Sequence, residues 1–214
     1  MQMNTVTDKI RILPSHHLKT DGCLITCRNT YIRLAVKAML DECREVISAD
    51  SWQTLRLLFI DEQDPLHELY LMQQIDFGRY DYIFCSAFYY DVIDRFMPWL
   101  KGHFFNINIG LTDLKLLIAG LLYPSHQNDN TCRTDSRYWQ RFSLSSTEVA
   151  VVKHYLALMG AKDTSVTMQS TVKLISGHKR RAMAKLHCDT NQEFWLTLQF
   201  LIFFGNNRVS DLLS

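Results

Sequence analysis

The segment from Lys173 to Leu186 constrains this chain more than any other, because it holds five cations, no carboxylate and apolar residues at helical spacing. At about 3.6 residues per turn, Ile175, Ala182, Met183 and Leu186 share one stripe, while Lys173, Ser176, Lys179 and Arg180 lie across the opposite side. A helix divided in this way buries one face in its own domain and presents cations on the other. Such cations neutralise phosphates, and Arg can read guanine edges in a major groove. An ordinary surface helix with a solvated basic face has the same composition, so the flanking segments decide between the two.

Upstream, Leu144-Ser145-Ser146-Thr147-Glu148 places an apolar residue, hydroxyl caps and a first-turn carboxylate ahead of Val151, Val152, Tyr155 and Leu156. That is the signature of a capped amphipathic helix. Downstream, Asp189-Thr190-Asn191-Gln192-Glu193 caps a last helix through Phe194, Trp195, Leu198 and Leu201. Between them, Asp163-Thr164-Ser165-Val166-Thr167-Met168 is rich in residues that favour caps and turns, which predicts a loose second helix.

These residues resemble the LuxR/FixJ (NarL)-type helix-turn-helix family over Leu144 to Leu186. The matching positions are Leu144, Ser145, Glu148, Val151, Lys173, Ile175, His178, Lys185 and Leu186, with Glu193 in the family's final helix. The resemblance implies a four-helix, all-α DNA-binding domain over 142–214. It implies contacts to double-stranded DNA from Lys173, Ser176, Gly177, His178, Lys179, Arg180 and Lys185. A dimer or partner contact is expected from Phe194, Trp195, Leu198 and Leu201, whose apolar surface exceeds what one small domain obviously covers.

The 214 residues suit one or two domains, and the formal net charge of +1 is near neutral, as a small cytosolic regulator would have. The positive charge is instead concentrated after Leu144. Cys23, Cys27, Cys43, Cys85, Cys132 and Cys188 are scattered without a CxxC pair or ligand spacing, so reduced thiols and no metal site are expected. No secretory signal is legible near the polar start, which Pro14 interrupts, and Phe194–Phe204 is about half of a bilayer span. A cytoplasmic protein without membrane contact is expected. No nucleophile, base and orienting group recur at a familiar spacing, so neither an enzyme nor a cofactor is expected.

Ahead of the basic helix, short apolar runs alternate with amphipathic segments. Strands are predicted at 23–27, 45–48, 57–61, 81–86 and 104–109, and helices at 31–43, 65–75, 91–100 and 111–123. Alternation of this kind implies a parallel five-stranded sheet with helices on both faces. Residues 1–20 read as a polar leader, 21–123 as the α/β domain and 124–141, rich in Ser, Asn, Gln and Asp, as a linker.

The α/β portion resembles the receiver domain of bacterial response regulators, which implies a doubly wound sheet. Asp61 falls at the phospho-acceptor position with Pro65 four residues on, Ser86 at the hydroxyl of the fourth strand, and Phe104-Phe105-Asn106-Ile107-Asn108 at the Gly-Tyr-x-x-Lys run. Asn108 then stands in place of the lysine, and Cys27 and Arg28 in place of the acidic pair that holds magnesium. Hard cations need several oxygen ligands, and a neutral amide cannot supply the lysine's charge, so a pseudo-receiver is expected. Arg28 either pairs with Asp61 or is solvated. The stretch between Ser48 and Leu57 is too short for the family's second helix.

Taken together, the two resemblances imply a transcription regulator that acts without phosphorylation, similar to enteric auxiliary regulators of capsule or fimbrial genes. The implied partners are promoter DNA and a second subunit, either a copy of itself or a response regulator. An interaction protein that titrates a response regulator without contacting DNA is the alternative.

Overall fold

The computed structural model describes residues 17–20, 23–46, 55–122 and 144–204. The chain divides into two compact units, Met1–Cys132 and Arg133–Ser214.

The first unit is built on a sheet of five strands in sequential spatial order: β1 (His17–Thr20), β2 (Cys23–Cys27), β3 (Leu55–Phe59), β4 (Tyr82–Cys85) and β5 (Phe104–Asn106). Strands β2 to β5 pair in parallel, and β1 pairs antiparallel with β2. The helices are α1 (Thr30–Val46), α2 (Pro65–Met72), α3 (Ala87–Phe96) and α4 (Leu111–Leu122). Side chains alternate across a strand, so Ile25, Leu57, Phe59 and Phe84 point to one face and pack with Val36 and Leu40 of α1 and Ile118 of α4. The Phe59 and Phe84 rings stack there at 4.2 Å. On the other face Thr26 and Leu58 share a cavity with Leu71 of α2, and the Tyr89 hydroxyl of α3 donates to the Pro65 carbonyl at 2.7 Å.

The sheet is therefore covered on both faces, as expected, but its strands are not those of a wholly parallel, doubly wound sheet. Residues 45 and 46, predicted as strand, continue α1, because the helical repeat of Val36, Leu40 and Cys43 runs on without a break; Ile47 and Ser48 lie outside the described residues. The fifth strand comes instead from His17–Thr20, inside the segment read as leader, where it lines the β2 edge and the His17 ring bonds the Thr26 hydroxyl at 2.9 Å. The crossovers through α1 and α2 step the same way across the sheet yet lie on opposite faces, which uniformly right-handed winding does not produce. The third helix begins at Ala87 rather than Asp91, since the Ser86 side chain caps the Tyr89 amide, and it ends before Pro98. The linker residues 124–141 lie outside the described residues.

The second unit consists of α5 (Ser146–Leu156), α6 (Ala161–Thr167), α7 (Val172–Lys185) and α8 (Asn191–Phe204). Its predicted caps are present. Ser145 and Glu148 form a reciprocal capping box on α5, and Thr190 and Glu193 do the same on α8. The segment expected to be loose forms α6, because its hydroxyls turn back onto the helix: Ser165 Oγ donates to the Lys162 carbonyl at 2.7 Å and Thr167 Oγ1 to that of Asp163 at 3.0 Å.

Helices α5, α6 and α7 all end the same way, with a left-handed residue that is not glycine: Leu158 at φ 59°, Gln169 at 48° and His187 at 52°. In each case the next amide closes back onto the helix, as Met159 does onto His154 at 3.0 Å. A Cβ in this region is strained, and Leu158 is 82% exposed, so its side chain offers little packing in return. Leu158→Gly is expected to stabilise the unit by about 1 kcal/mol. A urea midpoint that falls on this substitution contradicts the assignment of strain.

Candidate nucleic-acid interface

Helix α7 is anchored through Ile175, Ala182 and Leu186, all buried, and its start is capped by Thr171, whose hydroxyl accepts from the Leu174 amide at 3.3 Å. Opposite this stripe, Lys173, Arg180, Arg181 and Ala184 are exposed and Gly177 is partly so. These five positions follow one another at helical spacing and make a single basic face with a glycine at its centre. A Cβ added at Gly177 would meet nothing closer than Arg181 Nη1 at 4.0 Å, so the glycine is a gap in the surface rather than a packing requirement.

The cations predicted for this face do not all reach it. Lys179 sits on the flank of the buried stripe, with its Nζ 3.8 Å from the centroid of the Tyr155 ring, because its position on the helix is close to those of Ile175 and Ala182. Burial holds its ammonium below the ordinary lysine range. Lys185 lies 2.7 Å from Glu148 Oε2, an ion pair that ties α7 to the start of α5. Glu148 is 3% exposed. Burial by itself raises the pKa of this carboxyl, but the hydrogen bonds from Lys185 and the Ser145 amide, with the Lys185 charge, hold it below the usual value. Lys185 thus orients the helix from within, while Ser176 and His178 occupy the partly buried flanks.

Arg181, absent from the set predicted on sequence, belongs to the exposed face. Its Nε lies 3.6 Å from Glu148 Oε1 and its Nη2 2.8 Å from His178 Nδ1, which holds the guanidinium at the domain surface. The signal was available: Arg181 stands four residues after Gly177 and eight after Lys173.

The residues predicted for subunit contact are placed differently. Phe194, Leu198 and Leu201 are buried within the chain, with Phe194 against the Tyr155 ring at 5.4 Å. They are core, lying at helical spacing on one face of α8. The apolar side chains that remain accessible on α8 are Trp195 and Phe204, partly, and Ile202 and Phe203.

In the first unit, Cys27, Arg28 and Asp61 line one small cavity at the carboxyl ends of β2 and β3. Arg28 pairs with Glu62 at 3.1 Å and not with Asp61. Asp61 accepts instead from Asn29 Nδ2 at 2.6 Å, while Asn29 Oδ1 accepts from the backbone amides of Tyr31 and Ile32 at the start of α1. Burial pushes the Cys27 thiol up to about 11, helped by the Asp61 charge, so it is a neutral thiol at neutral pH. Ser86 and Asn108 do not line this cavity: Ser86 caps α3, and the exposed Asn108 donates its amide to Asn106 Oδ1 at 2.9 Å. Ser86 also gives its amide to Glu68 Oε1 at 2.8 Å. Among the described residues no group of three His, Cys, Asp or Glu is placed to hold a metal ion, and Cys23, Cys27, Cys43, Cys85 and Cys188 are not joined in disulfides.

The chain is an α/β unit followed by an all-helical unit, and among the described residues no helix is long and apolar enough to cross a membrane. In comparisons with known proteins, no family model, no curated protein and no solved structure matches the chain.

Proposed function

We propose that the chain is a sequence-specific regulator of transcription in the bacterial cytoplasm that binds double-stranded DNA through α7 of a LuxR-type domain. The observation that carries this proposal is the exposed stripe of Lys173, Arg180 and Arg181 around Gly177 on a helix whose opposite face is packed. A glycine between cations lets a helix approach a groove closely, and cations on one face meet phosphates on both sides of it. The α/β unit serves as a pseudo-receiver that needs no phosphoryl group, since β2 ends in a buried thiol and an arginine already paired with Glu62. One short recognition helix makes few base contacts, so the DNA-bound form is a dimer, either of this chain or with a response regulator. The accessible Trp195, Ile202 and Phe203 are candidates for that contact.

The test is selection of bound sequences from random duplex DNA by the full chain, alone and mixed with response regulators, followed by titration of the best site at several salt concentrations. Lys173→Gln and Arg180→Gln are each expected to weaken binding and to lower the magnitude of the log-affinity against log-salt slope by about one. Enrichment of no sequence under either condition overturns the proposal. Capture of a response regulator without DNA would support the titrating protein instead.

A further inference from the structure

The helical unit contains a cavity of about 360 Å³ between α5, α6 and α7 that DNA contact leaves unused. Its walls are largely apolar, formed in part by Val151, Met159, Ile175 and Met183. Lys179 and Arg180 also line it, together with the hydroxyl-bearing Ser176, and no Asp or Glu among the described residues does. Cavities that hold small organic ligands begin at about 300 Å³ and combine apolar walls with a few convergent polar groups.

The Lys179 ammonium is the informative group. It is half-buried, it rests on the face of Tyr155, and no carboxylate pairs with it among the described residues. The Tyr155 hydroxyl is itself fixed, donating to the Asn191 carbonyl at 3.0 Å. Nearby cations are arranged otherwise, as Lys185 and Arg181 both lie against Glu148. A desolvated cation without a counter-charge is costly, and an anion entering beside it relieves that cost. A phosphate dianion would call for more donors than one ammonium and one guanidinium beside apolar walls. The thioether of Met183 suits the edge of an aromatic ring, and Met159, whose sulfur lies 3.0 Å from His154 Nδ1, adds an apolar wall.

We propose that this cavity binds a small organic monocarboxylate with an aromatic body, its carboxylate on Lys179 and Arg180 and its ring between Met159, Ile175 and Met183. Arg180 also belongs to the exposed basic stripe, so occupancy neutralises a DNA-facing charge and weakens operator binding. Only this last consequence rests on the DNA-binding proposal.

The experiment titrates phenylacetate into the isotopically labelled full chain, without DNA, and follows amide resonances of Val151, Thr164, Ile175 and Lys179. Saturable shifts confined to these helices are expected. The neutral isostere phenylacetamide at the same concentrations is expected to bind at least about tenfold more weakly, and Lys179→Met to lose a similar factor. Ala161→Phe, which narrows the cavity from α6 while leaving both cations in place, is expected to abolish the shifts and is the check if Lys179→Met alters the spectrum of the free protein. Absence of saturable shifts with phenylacetate, 4-hydroxybenzoate and indole-3-acetate overturns the proposal, and so does equal binding of the amide. A chain that takes up phenylacetate but selects no DNA would retain the cavity and lose the DNA-binding proposal.

Discussion

Gly177→Glu is expected to lower DNA affinity about 100-fold, close to 3 kcal/mol, while leaving the helical unit at least as stable as before. The two effects have separate causes. In a helix interior glycine is less favourable than an ordinary residue by roughly 0.5–1 kcal/mol, and a Cβ here meets nothing closer than Arg181 Nη1 at 4.0 Å, the end of a flexible side chain. On the DNA side the same change inserts bulk and a negative charge between Lys173, Arg180 and Arg181, where a groove and its phosphates would lie. Gly177→Ala separates bulk from charge, being expected to stabilise the unit and to weaken DNA binding less. Thermal unfolding and fluorescence anisotropy on the selected site measure both. If Gly177→Glu binds as tightly as the parent chain, α7 does not face DNA.

The second large effect is a pH dependence of stability centred on Glu68. This carboxyl is 0% exposed, its Oε1 accepts the Ser86 amide at 2.8 Å, and its Oε2 has no hydrogen-bond partner among the described residues. Burial raises its pKa from 4.5 to about 7, against the opposing hydrogen bonds from Ser86 and with a further push from Glu62. A group that holds its proton more tightly when folded stabilises the fold fully below its unfolded value, and that contribution is lost as the pH rises through the folded one. The window therefore runs from about pH 4.5 to somewhat above 7, and the loss across it is about 3 kcal/mol. Glu68→Gln keeps an acceptor for Ser86 and cannot ionise. The parent chain should be destabilised relative to this variant between pH 5 and pH 8, as read from amide exchange of Ile83 and Phe84 in the full chain. A stability difference that does not change with pH would mean that Glu68 stays ionised in the fold.

Local chemistry made much of this protein legible. The caps at Ser145 and Thr190, the helical spacing of Ile175, Ala182 and Leu186, and the alternation of β2 to β5 with helices depend on residues near one another in the chain, and the sequence contains both partners of each such interaction. The basic character of α7 was readable for the same reason.

What the tertiary structure alone decided is which of those residues remain available. Lys185 and Lys179 look equivalent to Lys173 in a list of cations, yet Glu148, some 37 positions away, holds one and the Tyr155 ring the other, leaving Lys173, Arg180 and Arg181 on the open face. Phe194, Leu198 and Leu201 look like an adhesive stripe, yet all three are buried within the folded chain, Phe194 against the Tyr155 ring. Asp61 finds Asn29 and not the stronger charge of Arg28, which is drawn to Glu62. The edge strand His17–Thr20 exists because β2 has unpaired backbone groups to offer it, and its own polar composition carries no sign of that partner. Long-range pairing of charges, rings and strand edges is a property of the folded chain, whereas the helical and strand periodicities that precede it are written in the sequence.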